Sequence, residues 1–140
     1  MDIARIIDEL GLEPHPEGGY YVETWRHDGS PRGAGTAIYF LLTQDRRSHW
    51  HRFDAAEIWH FYAGDPVELC VADESGSEYS AVILGPDIAG GQRPQRVVPA
   101  HRWQSASTTG QASLVGCTAS PAFEFAGFEM APTDFAPIRR

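Results

Sequence analysis

Eight short runs rich in β-branched and aromatic residues, separated by turn clusters, restrict the architecture open to this chain. They are TAIYFLLT (36–43), SHWHRF (48–53), EIWHFY (57–62), VELCVA (67–72), YSAVILG (79–85), QRVVP (95–99), RWQSAS (102–107) and ASLVGCT (112–118). Between several of them stand HDGSPRGAG, AGDP, DESGSE and GPDIAGGQRP, whose Gly, Pro, Asp and Asn-like chemistry reverses a chain. Strands of this length and spacing predict a sandwich or barrel rather than alternating βα units. The helical period occurs once, at the start. Ile3, Ile6, Ile7 and Leu10 fall on one stripe, and Gly11 supplies the stop.

At 140 residues, with no repeat or linker, the expectation is one domain over 1–140. It divides into a helix (1–12), a barrel (18–130) and a tail (131–140) that holds Pro132, Phe135 and Pro137. The net charge of −8 opposes binding to a nucleic-acid backbone. No apolar run approaches the roughly 20 residues that span a bilayer, and no basic lead precedes an apolar segment, so the expected setting is cytoplasmic. All 11 basic residues are arginine, which removes Schiff-base and P-loop lysine chemistry. Cys70 and Cys117 sit in apolar strand runs and read as small core residues.

The chemistry gathers in RSHWHRFDAAEIWHFYAGDP (47–66), which holds three of the six histidines and two of the four tryptophans. In a regular strand, residues two apart share a face. His49 and His51 then point the same way, and Glu57, Trp59 and Phe61 share a face of the next strand. Two imidazoles and a carboxylate with open positions suit one divalent transition metal, with iron, manganese, nickel and zinc unranked. His60 should face away from Glu57, and His15 and His27 read as solvated loop residues. HPEGGYY (15–21) reads first as a turn, with Glu17 or Tyr20 at the rim of a pocket as the alternative.

His49-x-His51, Glu57 and Gly64, followed by VPAHRWQSAS, resemble the two signature motifs of the cupin superfamily. HPEGGYYVET, AIYFLL, EIWHFYAGDPVEL, VVPAHRWQSA and LVGCTASPAFEF resemble its small single-domain branch, cupin family five. The resemblance implies an all-β double-stranded β-helix, the cupin jelly roll, with a short N-terminal helix, and a homodimer. It also implies a metal set of His49, His51, Glu57 and Gln104. Three departures stand out: the gap from His51 to Glu57 is one residue longer than the usual pattern, His101 occupies the second motif's glycine position, and Gln104 replaces its histidine.

The expected ligand is a small carbohydrate-like or nucleotide-linked molecule inside the barrel. As an isomerase-like enzyme, the chain would use His51 as base, Glu57 to fix or replace it, and Tyr62 or Tyr20 as acid. Ser48, Trp59, His101, Trp103 and Tyr20 are the expected ligand contacts. The alternatives are metal-assisted chemistry on the same residues and a metabolite-binding module that performs no chemistry.

Overall fold

The computed structural model describes residues 1–140. Helix α1 (Ile3–Leu10) begins at Asp2, whose carboxylate accepts the Arg5 amide, and ends at Gly11, where φ of 69° suits glycine. Its apolar stripe packs with Leu12 on Leu41 and Ala112, covering part of the outside of a sheet. No helix is long and apolar enough to cross a membrane.

Twelve strands follow: β1 (Glu13–Pro14), β2 (Tyr20–Arg26), β3 (Thr36–Thr43), β4 (Ser48–Phe53), β5 (Ala56–Gly64), β6 (Val67–Ala72), β7 (Glu78–Leu84), β8 (Gln95–Val98), β9 (Trp103–Thr108), β10 (Ala112–Ser120), β11 (Phe128–Met130) and β12 (Ile138–Arg139). Two six-stranded sheets form, in the orders β1-β2-β3-β10-β5-β8 and β11-β4-β9-β6-β7-β12. All pairings are antiparallel except β12 on β7. This is the all-β jelly roll with a short helix that the sequence predicts.

Alternation builds the interior. Phe40 and Leu42 on β3, Trp59 on β5 and Val115 on β10 meet Val67 and Leu69 on β6, Leu84 on β7 and Ala106 on β9. Both cysteines are buried and free. The tail wraps the outside of the second sheet, where Phe135 packs on Trp50 and Trp103.

Strand β4 breaks the alternation on which the histidine pairing rested. Its register against β9 runs from Ser48↔Ala106 to His51↔Gln104, so three steps on β4 match two on β9. That is a bulge, and it shifts side-chain parity within the strand. Ser48 and His51 are both buried, whereas His49 is exposed. The expectation that His49 and His51 share a face is therefore corrected.

Candidate functional site

The interior residues converge near one end of the barrel. Strand β5 keeps its period from Ala56 to Phe61, ahead of a bulge at Tyr62, so Glu57 and Trp59 both face in, and the bulged β4 delivers His51. The third contributor is the turn before β2. His15 and Glu17, expected in a solvated loop and at a rim, are 6% and 5% exposed. The Glu17 carbonyl accepts the His49 amide at 2.7 Å, which locks this turn to the start of β4. Gly18, with φ of 108°, makes that approach possible, because a Cβ there would collide with the Arg47 carbonyl.

His51 and Glu17 form the centre. His51 Nε2 donates to Glu17 Oε2 at 2.6 Å, and Nδ1 donates to the His49 carbonyl at 2.7 Å. The His49 carbonyl can only accept, so Nδ1 carries a proton; with Glu17 ionised, Nε2 carries the second and the ring is an imidazolium. Burial opposes that charge, but the Glu17 carboxylate outweighs it, and the His51 pKa rises to about 9. Burial alone would raise Glu17; the charge and hydrogen bond of His51 override it and hold the carboxyl below its ordinary range. The Ser48 hydroxyl leans toward the same carboxylate without meeting hydrogen-bond geometry.

His15 differs from His51. Its Nδ1 accepts the Glu17 amide at 3.0 Å, which places the ring proton on Nε2. Burial lowers its pKa, the Glu17 charge partly restores it, and the His51 charge lowers it again. It is the neutral imidazole of the site.

Glu57 stands apart from this ion pair. Its Oε1 accepts Gln104 Nε2 at 2.9 Å, and Gln104 Oε1 accepts the Trp59 indole at 2.8 Å. Burial lifts the Glu57 carboxyl; the His51 charge and the Gln104 hydrogen bond offset this in part, the Glu17 charge adds to it, and the value settles at about 7.

Glu17 and Glu57 line a narrow cavity of about 70 Å³ that opens to solvent. His15, Tyr21, Ile38 and Cys117 share its wall, with Arg26, Phe123 and Phe125 also lining it. Arg26 is held by both Glu23 oxygens and donates to the Phe123 carbonyl. His51 lies behind Glu17 rather than on the wall.

Several expected site residues lie elsewhere. Tyr62 is 51% exposed and packs beside Tyr39 and His60, which turns away from Glu57 as expected. Tyr20 joins the helix-covered face, with the Arg46 guanidinium over its ring. Trp103 donates to the Glu74 carbonyl beneath Arg52. His101 is exposed, at φ of 69°, the left-handed conformation that explains a glycine in the motif. Ser48 and Trp59 are inside, behind the carboxylates rather than on the wall. Sequence reasoning missed His15, Tyr21, Arg26 and Cys117. The signal available for His15 was a histidine and a glutamate beside paired glycines in one turn.

The metal set does not assemble. His49 points outward, both His51 nitrogens are committed, and the Gln104 oxygen holds the Trp59 indole. No group of three or more His, Cys, Asp and Glu side chains is arranged to hold a metal ion. These donors, as placed, do not fit a divalent cation.

Comparison with known proteins agrees with the architecture. The family described as Cupin superfamily (DUF985) matches residues 4–131. A crystal structure of a protein from Shewanella oneidensis is 36% identical with a TM-score of 0.88, covering 94% of this chain and 85% of that one. A hypothetical protein from Leishmania major is 34% identical with a TM-score of 0.85, covering 95% and 89%. Oxalate decarboxylase from Bacillus subtilis shares the fold at 12% identity and a TM-score of 0.64, covering 84% of this chain and 29% of that one. No curated protein matches.

Proposed function

The chain belongs to the cupin superfamily family DUF985, and from that premise we propose that its cavity binds a small carbohydrate-like metabolite and moves protons on it. One observation carries this reading: two carboxylates on one cavity wall are driven in opposite directions, Glu17 down and Glu57 up to about 7. Separated acid and base strengths on like groups are how one site supplies both a proton donor and a proton acceptor.

Glu17, kept ionised by His51, takes the proton from a carbon next to the substrate carbonyl. Glu57, kept protonated by burial, gives its proton to the carbonyl oxygen. The resulting enediol collapses when Glu17 returns its proton to the neighbouring carbon and Glu57 recovers one from oxygen, so the net change is isomerisation. His51 acts through Glu17 rather than as the base. Tyr62, half exposed on the outside, takes no part. No step passes through a metal.

Ligand polarity follows from the wall. Glu17, Glu57 and His15 offer hydrogen bonds, and Ile38, Phe123 and Phe125 offer apolar surface to a sugar's C–H face. The committed Arg26 fork favours a free sugar over a nucleotide-linked one.

The test is deuterium exchange. Aldoses and ketoses, with and without phosphate, are incubated with the protein in D2O and followed by proton NMR. The reading requires C–H exchange next to the carbonyl of at least one, abolished in Glu17→Gln. Binding without exchange would make the protein a metabolite-binding module instead, and neither binding nor exchange would remove the reading.

A further inference from the structure

Gln104 is the residue that departs from the second cupin motif, and it is 1% exposed between the two sheets. An indole N–H can only donate. The Trp59 contact at 2.8 Å therefore fixes which end of the Gln104 amide is oxygen, and the amino end must face Glu57, as its 2.9 Å contact records. An amino group can only donate too, so Glu57 Oε1 must accept. On a neutral carboxyl, the oxygen that accepts is the carbonyl, and the hydroxyl proton sits on the other oxygen. That oxygen, Oε2, has no hydrogen-bond partner within the protein, and Glu57 lines the cavity.

We propose that Gln104, oriented by the Trp59 indole, is a positioning residue that places the acidic proton of Glu57 on the oxygen facing the cavity. The chain Trp59, Gln104, Glu57 joins β5 to β9 across the interior, and each of its orientations follows from the one before it. The role of Glu57 as donor rests on the reading above; the orientation of its carboxyl does not.

A neutral histidine at position 104 could accept from the indole and donate to Glu57 in the same sense, but on gaining a second proton it would lose its acceptor, whereas the glutamine amide does not titrate. Gln104 preserves two flat, end-on contacts at ordinary hydrogen-bond length.

Infrared difference spectroscopy with carboxyl-labelled glutamate, at pH 6, tests this without a substrate. The wild-type protein should show one protonated carboxyl band with a hydrogen-bonded carbonyl, lost in Glu57→Gln. Gln104→Leu should move that band to higher frequency, because the carbonyl loses its donor. Trp59→Phe should split it, because the amide is then free to turn. A band that is absent in the wild type, or that stays in place in Gln104→Leu, overturns the proposal. Should either variant fail to fold, the Gln104 side-chain amide resonances of the wild-type protein serve instead. They must shift in Glu57→Gln, and an unchanged pair contradicts the inference. Absent exchange with a band that shifts in Gln104→Leu would sink the catalytic reading and leave the positioning intact. The reverse result would sink the positioning alone. Where exchange is found, Gln104→Leu should lower turnover with KM unchanged.

Discussion

Glu17 and Glu57 are the same functional group on the same cavity wall, yet they sit in opposite electrostatic settings. Glu17 faces an imidazolium at 2.6 Å and stays charged. Glu57 faces a neutral amide and keeps its proton to about pH 7. Burial acts on both in the same direction, so the partner decides. A full charge outweighs desolvation, whereas a single amide hydrogen bond does not. The barrel thus obtains two functions from one residue type by choosing what stands behind each.

The largest expected effect comes from removing the partner that makes Glu17 different. His51→Leu leaves a buried carboxylate with no counter-charge, and breaking such a pair costs about 3–5 kcal/mol. Urea unfolding at pH 7 should show that loss, with much of it regained in the double variant His51→Leu/Glu17→Gln. A loss below about 1 kcal/mol would mean that the two carboxylates are not held apart by His51.

Glu57 sharpens the comparison through pH. Its folded pKa lies above the ordinary carboxylate value, so its ionisation destabilises the fold, and stability falls as pH rises from about 4.5 to 7. His51, raised to about 9, stabilises fully below about 6.5 and loses that contribution as pH climbs through 9. Glu17, lowered, stabilises above about 4.5 and loses its contribution as pH falls through its folded pKa. The wild-type protein should therefore weaken in two stages as pH rises, the first between about 4.5 and 7 and the second between about 6.5 and 9. Glu57→Gln should erase the first stage and add about 1–3 kcal/mol at pH 8, while leaving the second. A stability profile that keeps its first stage in the variant assigns that stage to another group.

The smallest effect is expected at His49. It is exposed and its side chain belongs to no site, so His49→Ala should change stability by no more than about 0.5 kcal/mol. Any exchange activity should survive it. A large loss of either would restore the histidine pair that strand alternation suggests.

What could be read from the residues alone divides at this same place. Strands β3 to β10, the helix and its stop were legible because hydrophobic period and turn chemistry are local, whereas β1, β11 and β12 are too short to show a period. Glu57 and Trp59 fell on the correct face because β5 is regular there, and Gln104 stood out by its motif position. His49 was misplaced because a bulge between Ser48 and His51 arises from pairing with β9, which no local period reports. His15 and Glu17 were missed as the centre because they lie in a turn that is polar by composition. They are buried by distant parts of the chain: β4, some thirty residues on, against Glu17, and Phe40, Phe125 and Phe128 around the His15 ring. The glycines that permit the contact were visible, but their partner was not.

The most direct measurement is a carbon NMR titration of the side-chain carboxyls in glutamate-labelled protein, with Glu17→Gln and Glu57→Gln to assign the two signals. The account predicts a Glu57 carboxyl that titrates near pH 7 and a Glu17 carboxyl that remains ionised below the ordinary range of glutamate. Two carboxyls titrating together between about pH 4 and 5 would contradict it.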